Sequence, residues 1–328
     1  MQLYINTPGT YLHIKDQLFE VRLKNDGEEK KHHFSAKKVT SIVLATKAAL
    51  STDAVLLAMQ HNIDIVFVQY DGQPYGRVWH SKLGSTTKIR KKQLEASLGK
   101  VGYQAVQSWL AMKLDNQKSF LMELKKHRAQ HDTLIAEATA KITAQKEKIE
   151  ALEANAVEEV ADTLRGFEGT AGRIYFTTLS ALLSSEHQFK GRSFRPAEDP
   201  FNAFLNYAYG MLYRKTEKAL MIAGLDPYVG FMHRDDYNQL SFVYDFIEPY
   251  RIHAERVVYR LFSGKKVNKS HTTQITNGYS LNDDGKQLLV PRFNEYMEEE
   301  KIRHNNRNLT RAHAMQLDAH QFANGLIL

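Results

Sequence analysis

Residues 1–80 alternate short runs of β-branched and aromatic side chains with polar, turn-forming ones. The runs at 2–5, 10–14, 18–23 and 39–44 have the composition of strands, and Asn6-Thr7-Pro8-Gly9 and Asn25-Asp26-Gly27 punctuate them as turns. Ser51 or Thr52 can cap a short helix ending at Met59, with Asp53 favourable near its positive end. A near-continuous apolar strand follows at 63–68. Asp71-Gly72 signals a turn, and 75–79 reads as the return strand.

Past residue 80 the pattern becomes helical. Residues 81–92 mix Gly, Ser and Thr with Lys82, Lys88, Arg90, Lys91 and Lys92, and read as a basic linker. Residues 94 to about 131 predict one long helix, and Asp132 can cap the next. In that next helix Ile135, Ile142 and Ile149 recur every seven residues, with Ala138 and Leu152 on the adjoining seam. Such a stripe predicts a two-helix hairpin or a short coiled-coil arm, and two core-packing helices rather than an intermolecular zipper. From Phe167 onward the pattern stays helical, interrupted by loops at 188–200, 224–236 and 264–285, and residues 291–328 read as one or two terminal helices. The expected fold is α+β: a small β-rich dimerisation domain over 1–80, a linker over 81–92, and a larger all-α catalytic domain over 93–328.

Composition narrows the function classes. The 328 residues are 43% hydrophobic and 25% charged, enough to bury a core without covalent staples. The absence of cysteine excludes disulfides, thiolate metal sites and a cysteine nucleophile. Residues 1–16 lack the basic-then-apolar layout of a signal peptide, and no stretch approaches the roughly 18 apolar residues of a membrane span. A cytoplasmic protein without a membrane partner is expected. The formal net charge of +7 fits a polyanionic partner.

Three segments carry candidate chemistry. In Glu168-Gly169-Thr170-Ala171-Gly172-Arg173, the acid stands at the start of an apolar helix, beside two glycines that suggest a packing or access role. In Gly230-Phe231-Met232-His233-Arg234, the imidazole suits one metal bond and one orienting hydrogen bond. In Leu240-Ser241-Phe242-Val243-Tyr244-Asp245-Phe246-Ile247-Glu248-Pro249, two acids share one helix face inside an apolar segment. Pro249 suggests that a helix begins near 245–248, which would aim both acids out of the apolar body. Taken singly, each segment also reads as an ordinary helix cap or a core histidine. Together, Glu168, His233 and Glu248 make a hard ligand set suited to Mg²⁺ or Mn²⁺, which can polarise a phosphodiester and activate a hydroxyl. Arg173, Arg192, Arg195, Arg251 and Arg256, with Lys265, Lys266 and Lys269, could track a DNA backbone.

The order and spacing of several stretches resemble the CRISPR-associated adaptation integrase, protein one of that system. They are Glu168-Gly169 with Arg173-Ile174-Tyr175-Phe176, Asp199-Pro200-Phe201-Asn202 with Leu205-Asn206-Tyr207, Ala223-Gly224-Leu225-Asp226-Pro227, Gly230-Phe231-Met232-His233, and 240–249 followed by Tyr250-Arg251. The resemblance covers most of the chain and is weakest over about 94–161. It implies a metal-dependent endonuclease and integrase that inserts short DNA fragments into a CRISPR array. It places the family's metal ligands on Glu168, His233 and Glu248, with Asp245 a further acid of the site. The family varies between aspartate and glutamate at the position of Glu248, so Asp245 remains an alternative ligand, and Asp235 and Asp236 compete less well. The resemblance also implies a homodimer, a small second adaptation protein as partner, and double-stranded DNA as substrate. A non-catalytic DNA-binding scaffold of the same shape is the rival reading.

Overall fold

The computed structural model describes residues 1–25, 28–69, 74–78, 86–233 and 239–328. The expected turn at Asp71-Gly72, the end of the return strand at Trp79, most of the turn Asn25-Asp26-Gly27, and the acids Asp235 and Asp236 lie outside these residues. The chain divides into two compact units, Met1–Gly84 and Ser85–Leu328.

The first unit runs β1 (Gln2–Ile5), β2 (Tyr11–Lys15), β3 (Leu18–Asn25), β4 (Glu28–Ser35), β5 (Ser41–Leu44), β6 (Ala49–Leu50), α1 (Thr52–Gln60), β7 (Asp64–Val68) and β8 (Pro74–Val78). Two four-stranded sheets result, ordered β1-β5-β7-β8 and β4-β3-β2-β6. In the first, β1, β5 and β7 are parallel and β8 returns antiparallel. Leu12, Phe19, Ile42, Ala54, Ala58 and Ile65 are fully buried in its core. Ser51 caps α1 by accepting from the Ala54 amide at 3.2 Å, as expected. The strand β4 escaped the sequence reading. Its Glu-Glu-Lys-Lys-His-His run has no apolar alternation, because β4 is an edge strand and needs none.

The second unit runs α2 (Thr86–Ser97), α3 (Lys100–Lys125), α4 (Asp132–Glu150), α5 (Ala161–Ala181), α6 (Pro200–Ala223), α7 (Ser241–Phe246), α8 (Arg251–Ser263), β9 (Thr272–Ile275), β10 (Gly278–Leu281), α9 (Asp283–Asn294), β11 (Lys301–His304), β12 (Arg307–Thr310) and α10 (Arg311–Gly325). Lys88 to Lys92 therefore lie within a helix, not a linker. The single helix expected over 94–131 is two, parted at Leu98-Gly99. Asp132 opens α4 without capping it. The stripe of Ile135, Ile142 and Ile149 is buried against the rest of the unit, and α4 packs on α3 and α5.

This unit is mainly helical but carries two antiparallel hairpins, β9–β10 and β11–β12, where a loop and terminal helices were expected. Strand β9 is almost wholly exposed, so its sequence shows no apolar alternation. The stretch Asp199-Pro200-Phe201-Asn202 proves to be a helix start. Asp199 accepts from the Asn202 amide at 2.8 Å and Pro200 takes the first helical position. Gly224 ends the same helix in the left-handed region, with φ 84°. Among the described residues no helix is long and apolar enough to cross a membrane.

Candidate active site

Glu168 lies well inside α5, not at its start, since the helix already begins at Ala161. The helix dipole therefore does little for it. The neighbouring glycines do not serve close packing: a Cβ on Gly169 would meet nothing, and one on Gly172 would only touch Glu168 Oε1 at 3.9 Å. They leave open surface beside the carboxylate.

His233 is positioned by an aromatic cluster and by Asp245. Trp109 of α3 sits among Phe231, two residues before the histidine, Phe242 and Phe246 of α7, and Phe322 of α10. This cluster fixes the loop after α6 against α7. Arg165 of α5 adds a hydrogen bond to the Met232 carbonyl at 2.9 Å. Asp245 then accepts from three successive backbone amides of the loop, those of Phe231, Met232 and His233. Its Oδ2 accepts the Phe231 and Met232 amides at 2.6 and 3.0 Å, and its Oδ1 lies 2.6 Å from His233 Nδ1. The tautomer that donates Nδ1–H to this carboxylate leaves Nε2 with a free lone pair.

The two acids are not aimed outward from a helix start. Asp245 lies inside α7 and Glu248 opens a single 3₁₀ turn, Glu248–Tyr250; they are only 2% and 5% exposed. Pro249 stands in the 3₁₀ turn that leads directly into α8, so a helix does start a few residues beyond the expected place, but with both acids buried. Asn116 of α3 donates to the Pro249 carbonyl at 2.8 Å and ties that turn to α3.

The centre of the site is Lys113 of α3. Its ammonium contacts Glu168 Oε1 and lies 2.6 Å from Glu248 Oε2. On the other side, Arg251 Nε lies 2.8 Å from Glu248 Oε1, and its Nη1 donates to the Tyr213 hydroxyl at 3.0 Å. The guanidinium also stacks over the rings of Tyr209 and Tyr213. Burial pushes the Glu248 carboxyl up, but Arg251 and Lys113 outweigh it and hold the group at about 2. Burial likewise pulls the Lys113 ammonium down, and the charges of Glu168 and Glu248 overcome this and raise it above its ordinary range. Both groups are therefore charged at neutral pH.

The structure thus joins Glu168 to Glu248 through Lys113, and His233 to Asp245. It does not draw Glu168, His233 and Glu248 into one cluster: among the described residues no group of three or more His, Asp or Glu side chains is close enough together to hold a metal ion. The donor chemistry nevertheless fits a hard divalent cation. Two carboxylate oxygens already converge on one positive charge, and the histidine is oriented by a carboxylate, as metal-bound imidazoles are. Asp245 spends both oxygens on that orientation.

The basic candidates separate into two groups. Arg173, Arg195, Lys265 and Lys266 are exposed, as is Lys269. Arg192 is turned inward, donating to Asn202 at 2.9 Å and also to Asn206. Arg251 is consumed by Glu248, and Arg256 pairs with Glu123. Sequence reading missed Lys113, Asn116 and Tyr213. For Lys113 a signal existed: it stands on the buried stripe of α3 with Val106, Leu110, Gln117 and Phe120, where a lysine demands a partner.

A sequence model of the family described as CRISPR associated protein Cas1 matches residues 3–295. This chain belongs to the Cas1 family. It is 32% identical to CRISPR-associated endonuclease Cas1 1 of Archaeoglobus fulgidus over 97% of this chain and 94% of that protein. Among solved structures, a casposase bound to integration product matches with a TM-score of 0.78 at 19% identity, over 99% of this chain and 90% of that one. A chain of a Cas6-RT-Cas1–Cas2 complex matches with a TM-score of 0.74 at 20% identity, over 99% of this chain and 35% of that one. The Cas1 architecture, strand-rich first and mainly helical after, is the one described above.

Proposed function

We propose that this chain is a divalent-metal-dependent DNA endonuclease and integrase that inserts short fragments into a CRISPR array. The observation that carries the reading is the convergence of Glu168 and Glu248 on one cation, together with a histidine whose second nitrogen is left free by Asp245. Membership of a family with relatives named endonucleases, and likeness in fold to a casposase bound to its integration product, support it.

In this reading Glu168, Glu248 and Nε2 of His233 would hold Mg²⁺ or Mn²⁺. The ion's chemistry when bound is polarisation of a phosphodiester and activation of a hydroxyl. Asp245 holds the imidazole in one tautomer and orientation. Arg251 keeps Glu248 ionised and fixes its rotamer. The open surface at Gly169 and Gly172 gives a backbone phosphate access to Glu168. In strand transfer the 3′-hydroxyl oxygen forms a bond to phosphorus as the opposite phosphorus–oxygen bond breaks, so no covalent link to the protein is required. Arg173, Arg195, Lys265 and Lys266 would contact phosphates, with double-stranded DNA as substrate. A homodimer and a small second adaptation protein of the Cas2 kind are the expected partners, in keeping with the Cas1–Cas2 complex similar in fold.

A strand-transfer assay with Mn²⁺, with and without EDTA, tests the reading. Glu168→Ala and His233→Ala should abolish cleavage and joining while DNA affinity stays within about 1 kcal/mol, because phosphate contacts dominate it. Unchanged joining in either folded variant would overturn the site assignment, a DNA affinity insensitive to salt would argue against the phosphate track, and DNA binding by wild type with no joining in Mn²⁺ would favour the scaffold reading instead.

A further inference from the structure

We propose that Lys113 is a built-in occupant of the cation position between Glu168 and Glu248, which a divalent ion must displace to load the site. This rests on the reading of those two acids as metal ligands. Lys113 Nζ contacts Glu168 Oε1 and is 2.6 Å from Glu248 Oε2, and its side chain is only 9% exposed. An ion bonded to the same two oxygens, at about 2.1 Å from each, would overlap the ammonium and repel its charge. The two cations therefore exclude one another.

The arrangement gives the two carboxylates a shared neutralising charge. Two partly desolvated acids with no cation between them would repel, and Lys113 supplies the neutralising charge from a third helix. Displacement is mechanically simple, since a lysine carries its charge on a flexible four-carbon stem. The ammonium thus acts as a gate whose opening is coupled to metal entry. The free energy of breaking its two ion pairs is subtracted from metal affinity.

The test is calorimetric titration of the full chain with Mn²⁺ alone, comparing wild type, Lys113→Met, Lys113→Gln and Glu168→Gln. Both neutral variants of Lys113 should bind Mn²⁺ at least about tenfold more tightly than wild type. In EDTA they should melt at lower temperature, and Mn²⁺ should raise their melting temperature by more than it raises the wild type's. Glu168→Gln should lose the binding. If wild type binds Mn²⁺ through Glu168 but neither Lys113 variant binds more tightly, the gate is wrong and the metal reading survives. If wild type shows no Glu168-dependent binding, both fall. Should the Lys113 variants fail to fold, amine-reactive labelling of wild type decides. Modification of Lys113, followed by mass spectrometry, should rise severalfold when Mn²⁺ replaces EDTA. Unchanged labelling with the metal bound overturns the proposal.

Discussion

Asp245 grips His233 at two points: its Oδ1 lies 2.6 Å from the ring Nδ1 and 3.1 Å from the backbone nitrogen of the same residue. A carboxylate so engaged is an orienting group. Asp245→Asn replaces one acceptor oxygen by a donor and so forfeits part of this grip. Loss of such an orienting partner typically weakens metal binding about 10- to 100-fold. The variant should show that loss in a Mn²⁺ titration, together with a lower melting temperature. Wild-type affinity in a folded Asp245→Asn protein would mean that the imidazole is held by other means.

Arg251 should not tolerate replacement by lysine. An ammonium could pair with Glu248 but could not also reach the Tyr213 hydroxyl and cover two tyrosine rings. Arg251→Lys should cost about 1–3 kcal/mol in denaturant unfolding, the usual range for leaving buried polar groups poorly paired. A variant as stable as wild type would show that the stacking and the Tyr213 bond contribute nothing.

Gly169 offers the opposite case. It sits within α5, and a Cβ there meets open space. Gly169→Ala should therefore stabilise the protein by roughly 0.5–1 kcal/mol, raising its melting temperature. If the open surface beside Glu168 admits DNA, the same substitution should weaken fragment binding while the fold gains stability. A drop in melting temperature would argue that this face is packed.

His253 predicts a pH dependence unrelated to catalysis. Its Nδ1 is buried without a hydrogen bond among the described residues, and burial, reinforced by Arg311 and Arg256, depresses the group from 6.5 to about 3. The folded form therefore holds the ring neutral while the unfolded chain binds a proton. Stability is complete above pH 6.5 and declines as pH falls toward 3, by up to about 1.4 kcal/mol per unit. His253→Phe should flatten that slope between pH 6.5 and 5 in urea unfolding. An identical slope in the variant would assign the dependence to other groups.

The β-rich first unit, the helical second unit and the stripe of Ile135, Ile142 and Ile149 were legible because burial imposes a period on the sequence. The strands β4 and β9 were not, since exposed strands leave no such trace. Glu168, His233, Asp245 and Glu248 stood out as polar residues within apolar or glycine-rich surroundings. Their geometry did not, because it depends on Lys113 and Asn116 for the two glutamates and on the Trp109 cluster for His233, all three on α3 and more than fifty residues from any of them in the chain. The outward-facing helix start inferred from Pro249 failed for a physical reason. Arg251 stands only three residues beyond Glu248, but Lys113 comes from α3, where its place on the buried stripe shows that it needs a partner without showing which.

One methyl group that the chain omits has a large effect. Gly102 is buried in the first turn of α3; a Cβ there would stand 2.4 Å from the Ala96 carbonyl oxygen and 3.4 Å from the Phe231 ring. Its hydrogen alone lets the last turn of α2 fold back over α3 and lets Phe231 settle on Trp109. A saturation library at this position should return glycine almost alone, although the residue touches no candidate ligand. The placement of His233 is thus written partly as an empty space, far upstream of the histidine itself.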